Sequence, residues 1–402
     1  MRFNNFGALA GLGLVMISGV ACEPVLFCYT QYSDKIDMSI DYSRCTNVLV
    51  AFGIPKPDAT IKIEAEDKLK DFVKTVQKQG PKVSVSLGGW TGSGNFSTLV
   101  KKENRNKFKD EIMNLIESKN LDGIDLDWEY PGRDGNCNVF DKDNDADNYL
   151  EFLTLLRDAL TNKFGDNPKL ITMATWVQPF DGPNGTLSDM SKFANVTDFV
   201  FLMQYDYTGS YAPTSGPNAP LDFEEGKGTR SFRTAIKAWT DAKWPRDKLV
   251  AGFAFYGRSS KLEIEGNEIP TTQYQKQSKT EVPKGDEEDK VEEDTCTGKK
   301  QFSGVWRWKH MLHEGVLEDP LAAKEPWVKQ FDNITQTPWL FNKDTKVFLT
   351  YDDPDSIKAK TRVVREEGLA GGMMWSIDMD KDNVLTDALK KGLAGEDGEN
   401  EV

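Results

Sequence analysis

The stretch Leu121-Asp122-Gly123-Ile124-Asp125-Leu126-Asp127-Trp128-Glu129-Tyr130 decides how the rest of this 402-residue chain is read. Polar and apolar residues alternate along most of it, the pattern of an extended strand whose side chains point to opposite faces. Asp125, Asp127 and Glu129 then share one face, and Ile124, Leu126 and Trp128 the other. Three carboxylates in a row repel one another and resist loss of water, so folding alone gives no reason to bury them. A solvated edge strand would alternate in the same way. The wholly apolar opposite face argues instead for a strand inside a packed barrel, and for an acid-base site on its inner side.

Strand-like runs at 25–30, 47–53, 82–88, 121–130, 170–176, 198–205, 249–256 and 369–376 are each short and apolar. Helical patterns at 66–79, 101–118, 147–164 and 229–242 stand between several of them. Strand and helix alternating in this way predict an α/β chain folded as a (β/α)8 TIM barrel. A doubly wound open sheet is the alternative, but no glycine-rich phosphate loop follows the first strand. The interval 259–346 before the last strand is too long for a connection and reads as an insertion. Its acidic run 285–294 is expected to be a solvated loop.

In a barrel, side chains at the carboxyl ends of strands meet the ligand, and Glu129 holds that position. Asp127 beside it raises the cost of ionising Glu129, which keeps a glutamic acid protonated near neutral pH as a general acid. Asp125, one layer deeper, is placed to share a proton with Asp127. Asp122 has the opposite parity and points to the barrel base.

Asp122-x-x-Asp125-x-Asp127-x-Glu129 reproduces the DxxDxDxE signature of family 18 glycoside hydrolases, and Tyr130 follows it. The sequence resembles the secreted fungal chitinases of that family over residues 25–393. The family's mechanism is substrate-assisted. The resemblance therefore implies that Asp127 orients the substrate's acetamide while Glu129 protonates the leaving oxygen. Ser86-Leu87-Gly88-Gly89-Trp90 resembles the family's SxGG motif, and Met203-Gln204-Tyr205-Asp206 ends the sixth strand. By the same resemblance Tyr205 assists Asp127, Asp206 contacts the sugar and Arg258 is the cleft arginine. Trp375, after Met373-Met374, matches the family's tryptophan that forms the floor under the scissile sugar, with Tyr29 and Phe52 at matching positions on the first two strands. Core packing competes for Phe52, Met203 and Met373, since aromatic and sulfur side chains fill barrels. For Trp90, Tyr205 and Trp375 the functional reading leads, whereas Trp128 has packing parity.

The formal charge of -14 argues against nucleic acid or an anionic membrane as partner. Chitin and chito-oligosaccharides are neutral and make no such demand, and a monomer is expected. Residues 1–21 read as a secretory signal, with Arg2, an apolar run 6–20 and the small residues Gly19-Val20-Ala21. Without Cys22, four cysteines remain. The resemblance pairs Cys28 with Cys45, and Cys137 with Cys296 follows by elimination. Sequons at Asn95, Asn184, Asn195 and Asn333 also fit secretion. Residues 395–402 form an acidic tail.

Neither a metal nor another cofactor is expected. Asp141, Asp143, Asp145 and Asp147 imitate a calcium loop, but Ala146 and Phe152 replace its glycine and terminal glutamate, leaving a solvated loop. His310 and His313 lack a third zinc ligand. The reading that results is a secreted chitinase with endo action. An endo-β-N-acetylglucosaminidase acting on N-glycans and a chitin-binding lectin on the same barrel are the rivals. A lectin of this kind characteristically lacks the glutamic acid that Glu129 supplies.

Overall fold

The computed structural model of the protein describes residues 23–396 and 398. The signal expected at 1–21 falls outside the described residues, as do 397 and 399–402 of the expected acidic tail. Eight parallel strands close into a barrel: β1 (Val25–Gln31), β2 (Asn47–Pro55), β3 (Lys82–Gly88), β4 (Gly123–Asp127), β5 (Leu170–Thr175), β6 (Phe199–Leu202), β7 (Leu249–Ala254) and β8 (Gly371–Trp375). β1 pairs with both β2 and β8, which closes the ring. Their apolar side chains, from Val48 and Val85 to Ile171 and Phe253, form one continuous core with the surrounding helices.

The helices follow from local sequence. In α1 (Glu66–Gln77), Leu69, Phe72, Val73 and Val76 recur at the helical period and are buried against the barrel. α2 spans Arg105–Lys119 and α3 spans Asp145–Phe164. α4 is the short Ser191–Val196. α5 (Phe232–Asp241) starts three residues after the predicted 229 because Ser231 caps it, accepting the Thr234 amide. α6 (Pro354–Glu366) carries a capping box of Asp353 and Ser356, and α7 is Val384–Ala394.

Several expectations need correction. The acidic strand is shorter than 121–130 and ends at Asp127, because the Glu129 amide bonds the Ser93 hydroxyl instead of a neighbouring strand. Asp145 does not belong to a solvated loop. Its buried carboxylate opens α3 and accepts from Ser97 Oγ at 2.6 Å and the Asp141 amide at 2.8 Å. The acidic run 285–294 is likewise only partly solvated. Asp286 is buried against the Arg307 amide at 2.8 Å and His310 Nδ1 at 3.0 Å, and Asp289 accepts the Gly285 and Gly304 amides.

The insertion is a five-stranded antiparallel sheet in the order Val305–Arg307, Tyr256–Lys261, Val347–Thr350, Thr337–Asn342, Trp327–Asp332. It therefore begins at Tyr256 and ends at Thr350, and both flanks of the expected 259–346 are part of it. Leu262, Trp339, Phe341 and Phe348 give it a small core of its own.

Asp122 does face the barrel base. Its Oδ2 accepts the Val83 amide of β3 at 2.8 Å and Gln77 Nε2 of α1 at 2.9 Å. Asp122→Ala should therefore lower stability by about 1–3 kcal/mol, the cost of stranding such donors. Urea unfolding checks this, and an unchanged midpoint would show that the two bonds are dispensable.

Candidate active site

β4 presents its carboxylates to three different surroundings, and strand register explains why. Asp125 stands level with Ser86 on β3 and Thr172 on β5. Both hydroxyls donate to it, at 2.6 and 2.7 Å, and Tyr29 reaches in from β1 to donate at 2.6 Å. Asp125 is wholly buried, and burial raises its pKa even though these three bonds oppose the shift. The contact expected between Asp125 and Asp127 is not among the hydrogen bonds of the described residues.

Asp127 stands level with Gly88 and Ala174, neither of which carries a donor side chain. Its Oδ1 is buried without a hydrogen-bond partner. Burial first, then the charge of Glu129, pushes its pKa well above the ordinary carboxylate range. Glu129 lies two residues past Asp127 and is only 7 % exposed. Its carboxylate accepts the Tyr130 hydroxyl at 2.9 Å. Burial, joined by the charge of Asp206, raises its pKa to about 7 against the opposing bond from Tyr130. Burial rather than Asp127 is thus the main cause of the shift.

The β4 end is held from behind by residues that periodicity does not reveal. Ser93 Oγ accepts the Glu129 amide at 3.0 Å and lies 2.8 and 2.9 Å from the Gly89 and Asp127 carbonyls. Asn138 Nδ2 donates to the Glu129 carbonyl at 2.8 Å. Gly88, at φ +110°, passes so close that a Cβ there would lie 2.2 Å from the Asp127 carbonyl oxygen. At Gly89, φ +78°, a Cβ would meet the Phe52 ring at 2.6 Å. These approaches account for the glycines of the SxGG stretch.

Across the mouth, Trp375 ends β8 with its ring stacked on Phe52, centroids 5.4 Å apart, and 5.4 Å from the Tyr29 ring. Trp375 and Phe52 form one wall of a cavity of about 1560 Å³. Tyr205, just past β6, is buried and its hydroxyl points at Met373 Sδ, 3.9 Å away. Burial and then the Asp127 charge raise its pKa, so its hydroxyl stays neutral. Asp206 accepts from the Tyr256 hydroxyl at 2.6 Å and Arg258 Nε at 2.5 Å, which joins β6 to the insertion's first strand. Met203 and Met373 are buried, in keeping with packing. Trp90 is 50 % exposed at the tip after β3, and the Tyr130 ring packs tilted against Trp176, centroids 5.9 Å apart. Trp128 has the packing role its parity indicates, stacked on Phe96 at 5.5 Å.

The Cys28–Cys45 and Cys137–Cys296 disulfides are both formed. Among the described residues no group of three or more His, Cys, Asp or Glu is arranged to hold a metal ion.

The model of the glycosyl hydrolases family 18 matches residues 25–380. This chain belongs to that family. A chitinase-like effector of Moniliophthora roreri is 32% identical over 375 residues, covering 90% of each chain. Chitinase A1 of Niallia circulans is 30% identical over 78% of this chain and 42% of its own length. Among solved structures, a chitinase of Rhizomucor miehei superposes with a TM-score of 0.84 at 31% identity, covering 92% of this chain and 100% of that one.

Within this family 18 barrel the buried Glu129 makes a thermodynamic statement. A carboxyl raised from 4.5 to about 7 favours the folded state while it is protonated, and that advantage is lost as pH rises from 4.5 through 7. Glu129→Gln should therefore match the native protein in stability at pH 4 and exceed it at pH 8, by on the order of 1–3 kcal/mol. Equal urea midpoints at pH 8 would show that Glu129 ionises without cost.

Proposed function

We propose that this protein is a secreted chitinase that cleaves β-1,4 bonds between N-acetylglucosamine units with retention. The observation that carries the reading is the line of carboxylates on and just past β4, ending in a buried glutamic acid raised to about 7. Glu129 is the general acid: its proton passes to the glycosidic oxygen as the bond from that oxygen to the anomeric carbon breaks. The substrate's own acetamide oxygen forms the replacing bond to the anomeric carbon, so no carboxylate nucleophile is required. Asp127, lacking a partner for Oδ1, is the group that receives the acetamide N–H. The neutral Tyr205 hydroxyl donates to the acetamide oxygen. Asp125, held by three hydroxyls, fixes the charge behind Asp127. Water then opens the cyclic intermediate, with Glu129 accepting its proton.

Trp375 supports the sugar at the cleavage point, and Tyr29, Phe52, Met203 and Met373 shape the pocket beneath it. Trp90 stacks beyond that point, while Tyr130, Asp206 and Arg258 contact the chain at the rim. The two disulfides suit an oxidising compartment and support secretion. Asn184, Asn195 and Asn333 are exposed and are the proposed glycan sites. The half-buried Asn95 donates its amide to the Pro55 carbonyl at 2.9 Å beside the buried Phe96, which argues against a glycan there.

The name of the Moniliophthora relatives, chitinase-like effector, brings a non-catalytic role into consideration. The presence of Glu129 in a raised, protonated state favours turnover. The exposed Trp90 and the tall insertion favour a linear polymer over an N-glycan.

Incubation with chitohexaose and separately with a high-mannose glycoprotein, followed by mass spectrometry, tests the reading. Short chito-oligomers are expected from the first and nothing from the second. Binding of chitohexaose without cleavage would leave a lectin. Glu129→Gln should lower kcat by at least about 1000-fold while sparing oligosaccharide binding, a loss in the range of general acid catalysis. For the native enzyme kcat/KM should fall above pH about 7, where the acid loses its proton. Substantial activity in the Gln variant would remove Glu129 from the mechanism.

A further inference from the structure

The insertion carries a finger that leaves its sheet ahead of Val305 and ends at a disulfide on the far side of the barrel mouth. Its root is fixed by Asp286 and Asp289, buried against Arg307, His310 and the Ser303–Gly304 backbone. Beyond the root, Glu292 and Glu293 pair with Gln301 and Lys300 in a hairpin. Asp294 closes its tip, accepting the Cys296 and Thr297 amides at 3.1 and 2.6 Å. Residues 291–300 are exposed throughout, so no core holds the finger in place.

Cys296 at the tip is bonded to Cys137, 159 residues away in sequence. Thr295 Oγ1 adds a hydrogen bond to Asn136 Oδ1 at 3.1 Å. Cys137 lies in the loop that follows Glu129, and that loop is pressed against the acid. Asn138 binds the Glu129 carbonyl, and a Cβ on Gly135 would lie 2.0 Å from the same oxygen. The finger's near part, at Glu287, Glu288 and Lys290, lines the cavity walled by Trp375 and Phe52.

These two anchorages lie on opposite sides of the ring. β8, which ends in Trp375, is four strands from β4, half-way round an eight-stranded barrel. Eight strands about 4.8 Å apart and tilted about 36° enclose a mouth about 15 Å across. The seven residues from Asp289 to Cys296 reach at most about 25 Å. The finger is long enough to cross the mouth, and its two ends are fixed on either side of it. Asp127 at the carboxyl end of β4 and Glu129 just past it are 4 % and 7 % exposed.

We propose that the Cys137–Cys296 bridge turns residues 286–304 into a covalent strap over the cleft, which selects chain ends and short oligomers over internal linkages of a polymer. An unbroken chain segment cannot be laid sideways into a cleft with a closed roof; it has to be threaded from an end. With the bridge intact this replaces endo action by attack from chain ends, and with the bridge open internal linkages become accessible. The proposal rests on the chitinase reading for its substrate.

The test compares the native protein with Cys296→Ser and Cys137→Ser on soluble glycol chitin, following viscosity and new reducing ends together. The serine variants should lose at least about threefold more viscosity per reducing end, while their rates on chitotetraose stay within about twofold of native. If the variants misfold, the native protein treated with a phosphine reductant replaces them, with peptide mapping to show that Cys28–Cys45 is retained. A second measurement does not depend on hydrolysis. In a Glu129→Gln background, a chito-oligosaccharide capped at both ends with bulky groups should bind only when the bridge is open, whereas the uncapped oligomer binds either way. Equal viscosity ratios with hydrolysis intact overturn the strap and leave the chitinase. Bridge-dependent binding without any hydrolysis in the native protein overturns the chitinase and keeps the strap. Absence of binding in every form overturns both.

Discussion

Burial of three carboxylates, two on one strand and the third just past its end, is the constraint on which the rest of the site depends. Desolvating a charge costs several kcal/mol unless partners replace the lost water. β4 meets that cost layer by layer through its neighbours. At Asp125 the level residues are Ser86 and Thr172, and their hydroxyls with that of Tyr29 saturate the carboxylate. Two residues on, the level residues are Gly88 and Ala174, and Asp127 is left with a bare oxygen. The difference is written in the neighbouring strands, since the two aspartates are chemically alike. One is stabilised in place; the other is left with a buried oxygen that no residue partners.

The same constraint explains the backbone around Glu129. A glutamic acid at a strand end would ordinarily swing into water and ionise. Here its amide is tied to Ser93, its carbonyl to Asn138 and its carboxylate to Tyr130. All three ties come from residues outside the barrel strands and none from the barrel ladder. The backbone ties hold the residue where its side chain is buried, and that burial favours its neutral form against the opposing bond from Tyr130.

Much of this was legible in the sequence because it obeys a period. Alternation gave the shared face of Asp125, Asp127 and Glu129 and the packing face of Trp128. The spacing of short apolar runs gave the eight strands. What was not legible lacks a period. Asp145 reads as one more acid in a polar loop until its bond to Ser97, 48 residues earlier, is known. Asp286 and Asp289 sit in a charge run whose neighbours are solvated, and only the fold of the insertion buries them. Ser93 and Asn138 act through loop geometry, which no local pattern encodes. Strand and helix ends shifted for the same reason, since they are fixed by side-chain caps and tertiary bonds.

The two disulfides divide structural from positional work. Cys28–Cys45 joins residues 17 apart in the buried wall between β1 and β2, where hydrophobic contacts already hold both ends. Cys137–Cys296 joins exposed residues across 159 positions, and the finger it tethers buries nothing at its tip. A hairpin of charged, solvated residues has no hydrophobic term to offset the entropy of being held in one place. A covalent bond is the means by which such a segment stays put. Asp206 with Arg258 fixes the insertion to β6 on one side, and the bridge fixes it to the loop behind the acid on the other. The insertion is thereby attached to the barrel at two points, beside β6 and at the loop that follows Glu129.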